Sequence, residues 1–217
     1  MPRRILSNTD PGWAAEVAGV LIDMDGTLVD STASIERLWH AFLRWYGLPE
    51  SAFPEPLHGR RAEDHVRGML PEHLADDAVA RLVAYEETDV EGVTAIRGAQ
   101  ELLESLDAAG MPWGIVTSGT VPVVKVRLQA AGLPWPPVLV TAEDVDRGKP
   151  DPQPYLVGRG RLGDHGTFLA VEDAPAGVTS ALAAGCRVVA VSTTHRPAEL
   201  TAAELVLPDL SSLHCTA

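Results

Sequence analysis

From residue 98 onward the chain alternates short apolar runs with helical patterns, and this alternation narrows the fold more than any other feature. Residues 99–109 set Leu102, Leu103 and Leu106 on one helical face and stop at Gly110. A strand is expected over 113–116, a helix over 123–131 closed by Gly132, and a strand over 138–140. Helix 154–161, strand 167–171, helix 175–184 closed by Gly185, strand 187–191 and a short strand 205–207 complete the series. Alternation of this kind implies a parallel sheet with helices on both faces. The expected class is α/β, a doubly wound parallel sheet with a Rossmann-like core, whose ligands bind beyond the carboxyl ends of the strands.

Residues 31–92 break the pattern. Ile35, Leu38, Trp39 and Phe42 recur at i, i+3, i+4 and i+7, an amphipathic helix that Trp45 and Tyr46 extend. That aromatic stripe reads as core. Residues 57–70 and 75–88 are helical in pattern as well, and no strand candidate interrupts them. The expected organisation is an α/β core of residues 1–30 and 93–217, with an α-helical cap at 31–92 inserted after the first strand. Hinges fall near 28–32 and 91–97. A chain of 217 residues is long enough for one sizeable core with such an insert.

The first buried strand, Val20-Leu21-Ile22, runs directly into Asp23-Met24-Asp25-Gly26-Thr27-Leu28-Val29-Asp30-Ser31. Alternation along a strand would separate the two side chains Asp23 and Asp25, so the chain must bend at Asp25 if both serve one site. Gly26 permits that bend. Two acids held together at the mouth of a strand invite either a hard cation or a shared proton. The plainer reading is an acidic turn that caps the next helix through Asp30 or Ser31.

Later strands end in residues of matching chemistry. Val116-Thr117-Ser118-Gly119-Thr120 presents hydroxyls and backbone N–H groups before a helix, where phosphate oxygens can be held. Arg147-Gly148-Lys149-Pro150-Asp151-Pro152 carries a lysine between a glycine and a proline. Val171-Glu172-Asp173-Ala174-Pro175 puts two acids at a strand end before a Pro-started helix, which suits an oxygen-ligated cation.

These four motifs, in this order, resemble those of the haloacid dehalogenase superfamily in its phosphatase version. The resemblance spans roughly residues 18–213. It is nearest to the small-cap branch that acts on sugar and polyol phosphates, such as 2-deoxyglucose-6-phosphate and glycerol-phosphate phosphatases. It implies that Asp23 attacks phosphorus to give an aspartyl-phosphate, and that Asp25 is the general acid/base. Thr117, with Ser118 and Gly119 as neighbouring donors, and Lys149 would hold the transferring phosphoryl group. Mg²⁺ would be bound by Asp23, the backbone carbonyl of Asp25 and Asp173, with Glu172 contributing directly or through water. In the cap, His58-Gly59-Arg60-Arg61 resembles the branch's substrate loop, so Arg60 or Arg61 would face the sugar phosphate, with Glu63 and His58 as weaker candidates. His65 and His73 also fall in the cap, where substrate contact is open to them.

Composition sets limits on partners. A formal net charge of −13 argues against nucleic acid or an anionic membrane as partner, since both demand a basic surface. A small phosphorylated metabolite is the expected partner, bound by a monomer. The two cysteines, Cys186 beside an apolar strand and Cys215 near the end of the chain, form no metal or disulfide pattern; Cys186 reads as buried and Cys215 as exposed. No metal spacing links the seven histidines. Arg3 and Arg4 precede polar residues rather than an apolar run, and no stretch approaches a membrane span, so the expected location is the cytoplasm.

Asp25 separates the alternatives within the superfamily. Carbon–halogen cleavage needs no acid for the leaving group, whereas an alkoxide does, so an acid at this position favours phosphomonoesters. A sugar phosphomutase of the β-phosphoglucomutase type shares all four motifs and the small cap. A non-catalytic phosphate-binding module would be expected to lack the nucleophile or the acid, and both are present.

Overall fold

The computed structural model describes residues 3–54 and 61–216. Four short strands come first: β1 (Arg4–Ser7), β2 (Ala14–Glu16), β3 (Gly19–Ile22) and β4 (Val29–Asp30). The helices α1 (Thr32–Tyr46), α2 (Ala62–Met69) and α3 (Glu72–Glu86) follow, then β5 (Thr94–Ala95). The remainder alternates: α4 (Ala99–Ala108), β6 (Trp113–Val116), α5 (Val121–Ala131), β7 (Leu139–Val140), α6 (Gln153–Arg161), β8 (Phe168–Glu172), α7 (Pro175–Ala183) and β9 (Arg187–Val191). Strands β10 (Leu205–Leu207) and β11 (Leu213–Thr216) close the chain.

Six strands form one parallel sheet in the order β10-β9-β8-β3-β6-β7. From β3 the chain builds outward through β6 and β7, then crosses back to build β8, β9 and β10 on the other side. The order therefore reverses between β3 and β8, the crevice where open α/β sheets bind ligands. Side chains of β3 divide by strand alternation. Val20 and Ile22 join one buried cluster with Leu102, Leu106 and Leu128, while Leu21 joins the other with Tyr155, Val178 and Ala181. Helices α4 and α5 thus cover one face and α6 and α7 the other, as a doubly wound sheet requires.

Helices α1, α2 and α3 pack around a cluster of their own. Ile35, Leu38, Trp39 and Phe42 meet Val66, Ala75, Ala78 and Leu82 there. Trp39 and Phe42 sit edge-to-face, with ring centroids 5.2 Å apart. Where the chain leaves and re-enters the sheet domain, β4 and β5 pair antiparallel, Val29 against Ala95 and Asp30 against Thr94. Arg37 of α1 adds a two-pronged contact to Asp89, at 2.9 and 2.7 Å.

Some boundaries differ from the expected ones for readable reasons. Helix α5 starts two residues early because Pro122 lies in its first turn, where its missing N–H costs nothing. Helix α3 starts at Glu72, straight after Pro71. The helix expected over 57–70 is described only as α2, since residues 57–60 lie outside the described residues. A three-stranded antiparallel sheet, order β11-β1-β2, had no counterpart in the sequence reading. It corrects the expectation for Cys215, which is buried rather than exposed. Its strand pairs with β1, setting Cys215 opposite Ile5, and joins the same buried cluster as α4.

Candidate active site

The adjacent strands β8, β3 and β6 bring three chain segments to one edge of the sheet. Asp23 follows β3, Thr117 follows β6, and Glu172 and Asp173 end β8. Asp23 extends the pairing by one residue, its N–H donating to the carbonyl of Val171 at 3.0 Å. The next turn bends sharply. Gly26 has φ +86°, and a Cβ there would stand 2.2 Å from Oδ2 of Asp173. Only glycine satisfies both the backbone angle and the close approach of a buried carboxylate.

Lys149 lies at the centre of the cluster and is fully buried. Its Nζ donates to Oδ1 of Asp23 at 2.5 Å, Oε1 of Glu172 at 2.6 Å and the carbonyl of Val116 at 3.1 Å. Those three bonds use all three ammonium protons. Glu172 is held from other sides too, accepting from the Tyr155 hydroxyl at 2.6 Å and from the Asp173 N–H at 3.2 Å. Asp173 accepts from Thr27 at 3.4 Å and from the hydroxyl of Thr194.

Three buried carboxylates therefore surround one ammonium. Burial pushes the Asp23 carboxyl up to about 7 despite the neighbouring Lys149, and Glu172 adds to the rise. Burial, followed by repulsion from Asp23 and Glu172, raises Asp173 well above the usual carboxylate range. Attraction to the same acids keeps Lys149 protonated against the cost of its burial. One carboxylate oxygen from each of Asp23, Glu172 and Asp173 lies within 4.8 Å of the others. Oxygen donors alone, in excess of the available positive charge, are the donor set that a hard divalent cation prefers.

Asp25 is set apart from this group. Its Oδ1 accepts from the Ser31 hydroxyl at 2.6 Å and from a guanidinium nitrogen of Arg127 at 2.8 Å. The bend after Asp23 thus sends the two acids of the turn into different surroundings. Ser31 does not cap α1 with its side chain, and the hydroxyl serves Asp25 instead. Thr117 is buried, and its Oγ1 accepts from the Gly119 N–H at 3.1 Å, shaping the turn before α5. Ser118 lies in that turn and is half-buried.

The candidates from the helical segment 31–92 divide. Arg61 reaches the sheet domain: a Cβ on Gly148 would stand 2.8 Å from its Cδ, so the side chain lies against the residue before Lys149. It also pairs with Asp64 at 3.2 Å. Arg60 and His58 lie outside the described residues. Glu63 pairs with Arg67 at 2.9 Å. The ring of His65 packs edge-on to Trp39 at 5.6 Å, and His73 is exposed.

Arg127, Tyr155 and Thr194 are the site neighbours that sequence reasoning missed. For Arg127 a signal exists. It shares the buried face of α5 with Val123, Val124 and Leu128, and an arginine on an apolar stripe calls for a buried partner.

Residues 20–191 match the family described as haloacid dehalogenase-like hydrolase. The chain belongs to that family. Hexitol phosphatase A of Escherichia coli (strain K12) is 45% identical over 202 residues, covering 91% of this chain and 94% of its own. Validoxylamine A 7'-phosphate phosphatase of Streptomyces hygroscopicus subsp. limoneus is 35% identical over 201 residues, covering 89% and 94%. The crystal structure of a hydrolase from Pseudomonas syringae aligns with a TM-score of 0.80 at 25% identity, covering 90% of this chain and 95% of that one.

Proposed function

We propose that this protein is a Mg²⁺-dependent phosphatase that hydrolyses small sugar or polyol phosphomonoesters through phospho-Asp23. The observation that carries this reading is the different surroundings of the two acids in the turn after β3. Asp23 is packed against Lys149 and the carboxylates of β8, while Asp25 is held apart by Ser31 and Arg127. The 45% identity to a hexitol phosphatase supports an alcohol of the polyol class as leaving group.

In the first displacement an oxygen of Asp23 bonds to phosphorus, and the bond from phosphorus to the alcohol oxygen breaks. Asp25 gives its proton to that oxygen, since an alkoxide leaves poorly; a positioned acid contributes about 10²–10⁴ in rate. In the second displacement Asp25 takes the proton of the attacking water and inorganic phosphate leaves. Lys149 balances the charge of Asp23 and of the phosphoryl group. The turn Thr117-Ser118-Gly119 offers donors to the phosphoryl oxygens at the start of α5. Asp23, Asp173 and the Asp25 carbonyl would hold Mg²⁺, whose charge offsets the acid excess and screens the substrate's phosphate. Glu172, already accepting from three donors, acts mainly by fixing Lys149.

Arg61, leaning on the loop of Lys149, is the cap residue best placed to read the substrate. Among the described residues no helix is long and apolar enough to cross a membrane. The proposed setting is a monomer acting on small phosphorylated metabolites in the cytoplasm.

The test is a phosphate-release screen over sugar, polyol and nucleotide phosphates with Mg²⁺, in wild type and Asp23→Asn. Release from polyol or sugar phosphates by the wild type alone is expected. Full activity in Asp23→Asn would sink the mechanism. Conversion of β-glucose-1-phosphate to glucose-6-phosphate would assign the protein to the mutases instead.

A further inference from the structure

Arg127 is 2% exposed and lies between two carboxylates from different parts of the chain. One guanidinium nitrogen contacts Oδ1 of Asp25 at 2.8 Å, and the other contacts Oε1 of Glu86, the last residue of α3 in the cap, also at 2.8 Å. Its Nε has no partner among the described residues. A buried charged group of this kind is a poor source of stability, because desolvation cancels most of the Coulombic gain. Well-packed apolar residues would join α5 to the cap at lower cost. What an arginine fork does better is fix the orientation of a carboxylate.

We infer that Arg127 is a positioning residue for Asp25, and that through Glu86 it ties the acid/base to the cap. This rests on the phosphatase reading above. Both contacts to the Asp25 carboxylate, from Ser31 and from Arg127, fall on Oδ1. Oδ2 makes no hydrogen bond among the described residues. The clamp therefore presents Oδ2 as the oxygen that carries the proton. That proton passes from Oδ2 to the alcohol oxygen as the phosphorus–oxygen bond breaks, and Oδ2 recovers one from water in the second step. Helix α5 supports both halves of the site, since the turn Thr117-Ser118-Gly119 precedes its first residue and Arg127 projects from its second turn.

The reaction itself separates this role from a structural one. Nitrophenolate leaves without a proton, so its departure does not need Asp25, whereas a polyol alkoxide does. Single-turnover rates of leaving-group release should be measured with Mg²⁺ for p-nitrophenyl phosphate and a hexitol phosphate. In Arg127→Met, release of the hexitol should slow by about 10²-fold, the scale of a misplaced reacting group. Nitrophenolate release should slow by less than about threefold, having no acid to lose. Arg127→Lys should recover part of the hexitol rate, since one ammonium cannot span both carboxylates. The double variant Arg127→Met/Glu86→Leu removes the cap carboxylate that the single change leaves unpaired. It should show the same selectivity if the single variant does not fold. Equal slowing on both substrates, or none on either, would overturn the positioning role. Absence of phosphate release from both substrates by the wild type would overturn the phosphatase reading and this inference with it.

Discussion

Gly177 lies in the first turn of α7 and makes the sharpest prediction. Its φ is not positive, so alanine fits the backbone, and by helix propensity Gly177→Ala should stabilise the protein by about 1 kcal/mol. The surroundings reverse that sign. A Cβ at this position would stand 2.0 Å from Cδ and Oε1 of Glu172 and 2.1 Å from Oε2. In a close-packed interior the carboxylate would have to move by about 1 Å or more. Glu172 has nowhere to go, being fully buried and held by Lys149 and Tyr155 at 2.6 Å each. Losing two buried hydrogen bonds to a charged group costs about 3–6 kcal/mol. Set against the propensity gain, the net expectation is a loss of about 2–5 kcal/mol. For a chain of this size that corresponds to a fall in Tm of roughly 4–20 °C. Thermal melting by circular dichroism, with urea unfolding as a second measure, reads this directly. Phosphatase activity should fall as well, because Lys149 loses one of its two anchoring acids. A Tm equal to or above that of the wild type would refute the packing argument and leave propensity in charge.

Asp25→Asn should slow turnover severely while Mg²⁺ affinity, followed by calorimetry, stays close to that of the wild type; a loss matching that of Asp173→Ala would remove Asp25 from the acid/base role. In metal-free protein Asp23 keeps its proton to about pH 7, against 3.8 for the free group, so the folded state binds more protons between these values. Stability from this group is therefore lost as pH rises through that window. With a chelator present, Tm should decline between about pH 4 and 7 relative to Asp23→Asn, and excess Mg²⁺ should flatten the decline; a relative rise would contradict the assignment. Arg61→Ala should reorder the preference among sugar and polyol phosphates more than it lowers hydrolysis of p-nitrophenyl phosphate, and equal losses on all substrates would show that Arg61 does not read the leaving group.

Much of the sheet domain was legible in the chain. Fully buried parallel strands are short continuous apolar runs, so Trp113–Val116 and Arg187–Val191 stand out between helices closed by Gly132 and Gly185. The weakest elements to read were those made by pairing alone. Strands β1, β2 and β11 are three or four residues long, and β4 and β5 have two each. None has a periodicity of its own, since each is a strand only because a distant segment supplies its hydrogen bonds.

The site divides in the same way. Asp23, Thr117 and Asp173 stand out as candidates because each follows or ends a recognisable strand, and Lys149 because it sits between a glycine and a proline in a motif of defined chemistry. By itself the sequence determined the fold class, the order of the motifs and the acidic character of the turn after β3, because strand periodicity and turn chemistry are local properties. Only the tertiary structure decided which surroundings the acids of that turn and of β8 receive. Desolvation and a single buried ammonium act on Asp23, Glu172 and Asp173 together, while Ser31 and an arginine 102 positions further along the chain claim Asp25. Charge interactions of this kind depend on distance in space and on burial, and neither is written in the spacing of residues along a chain.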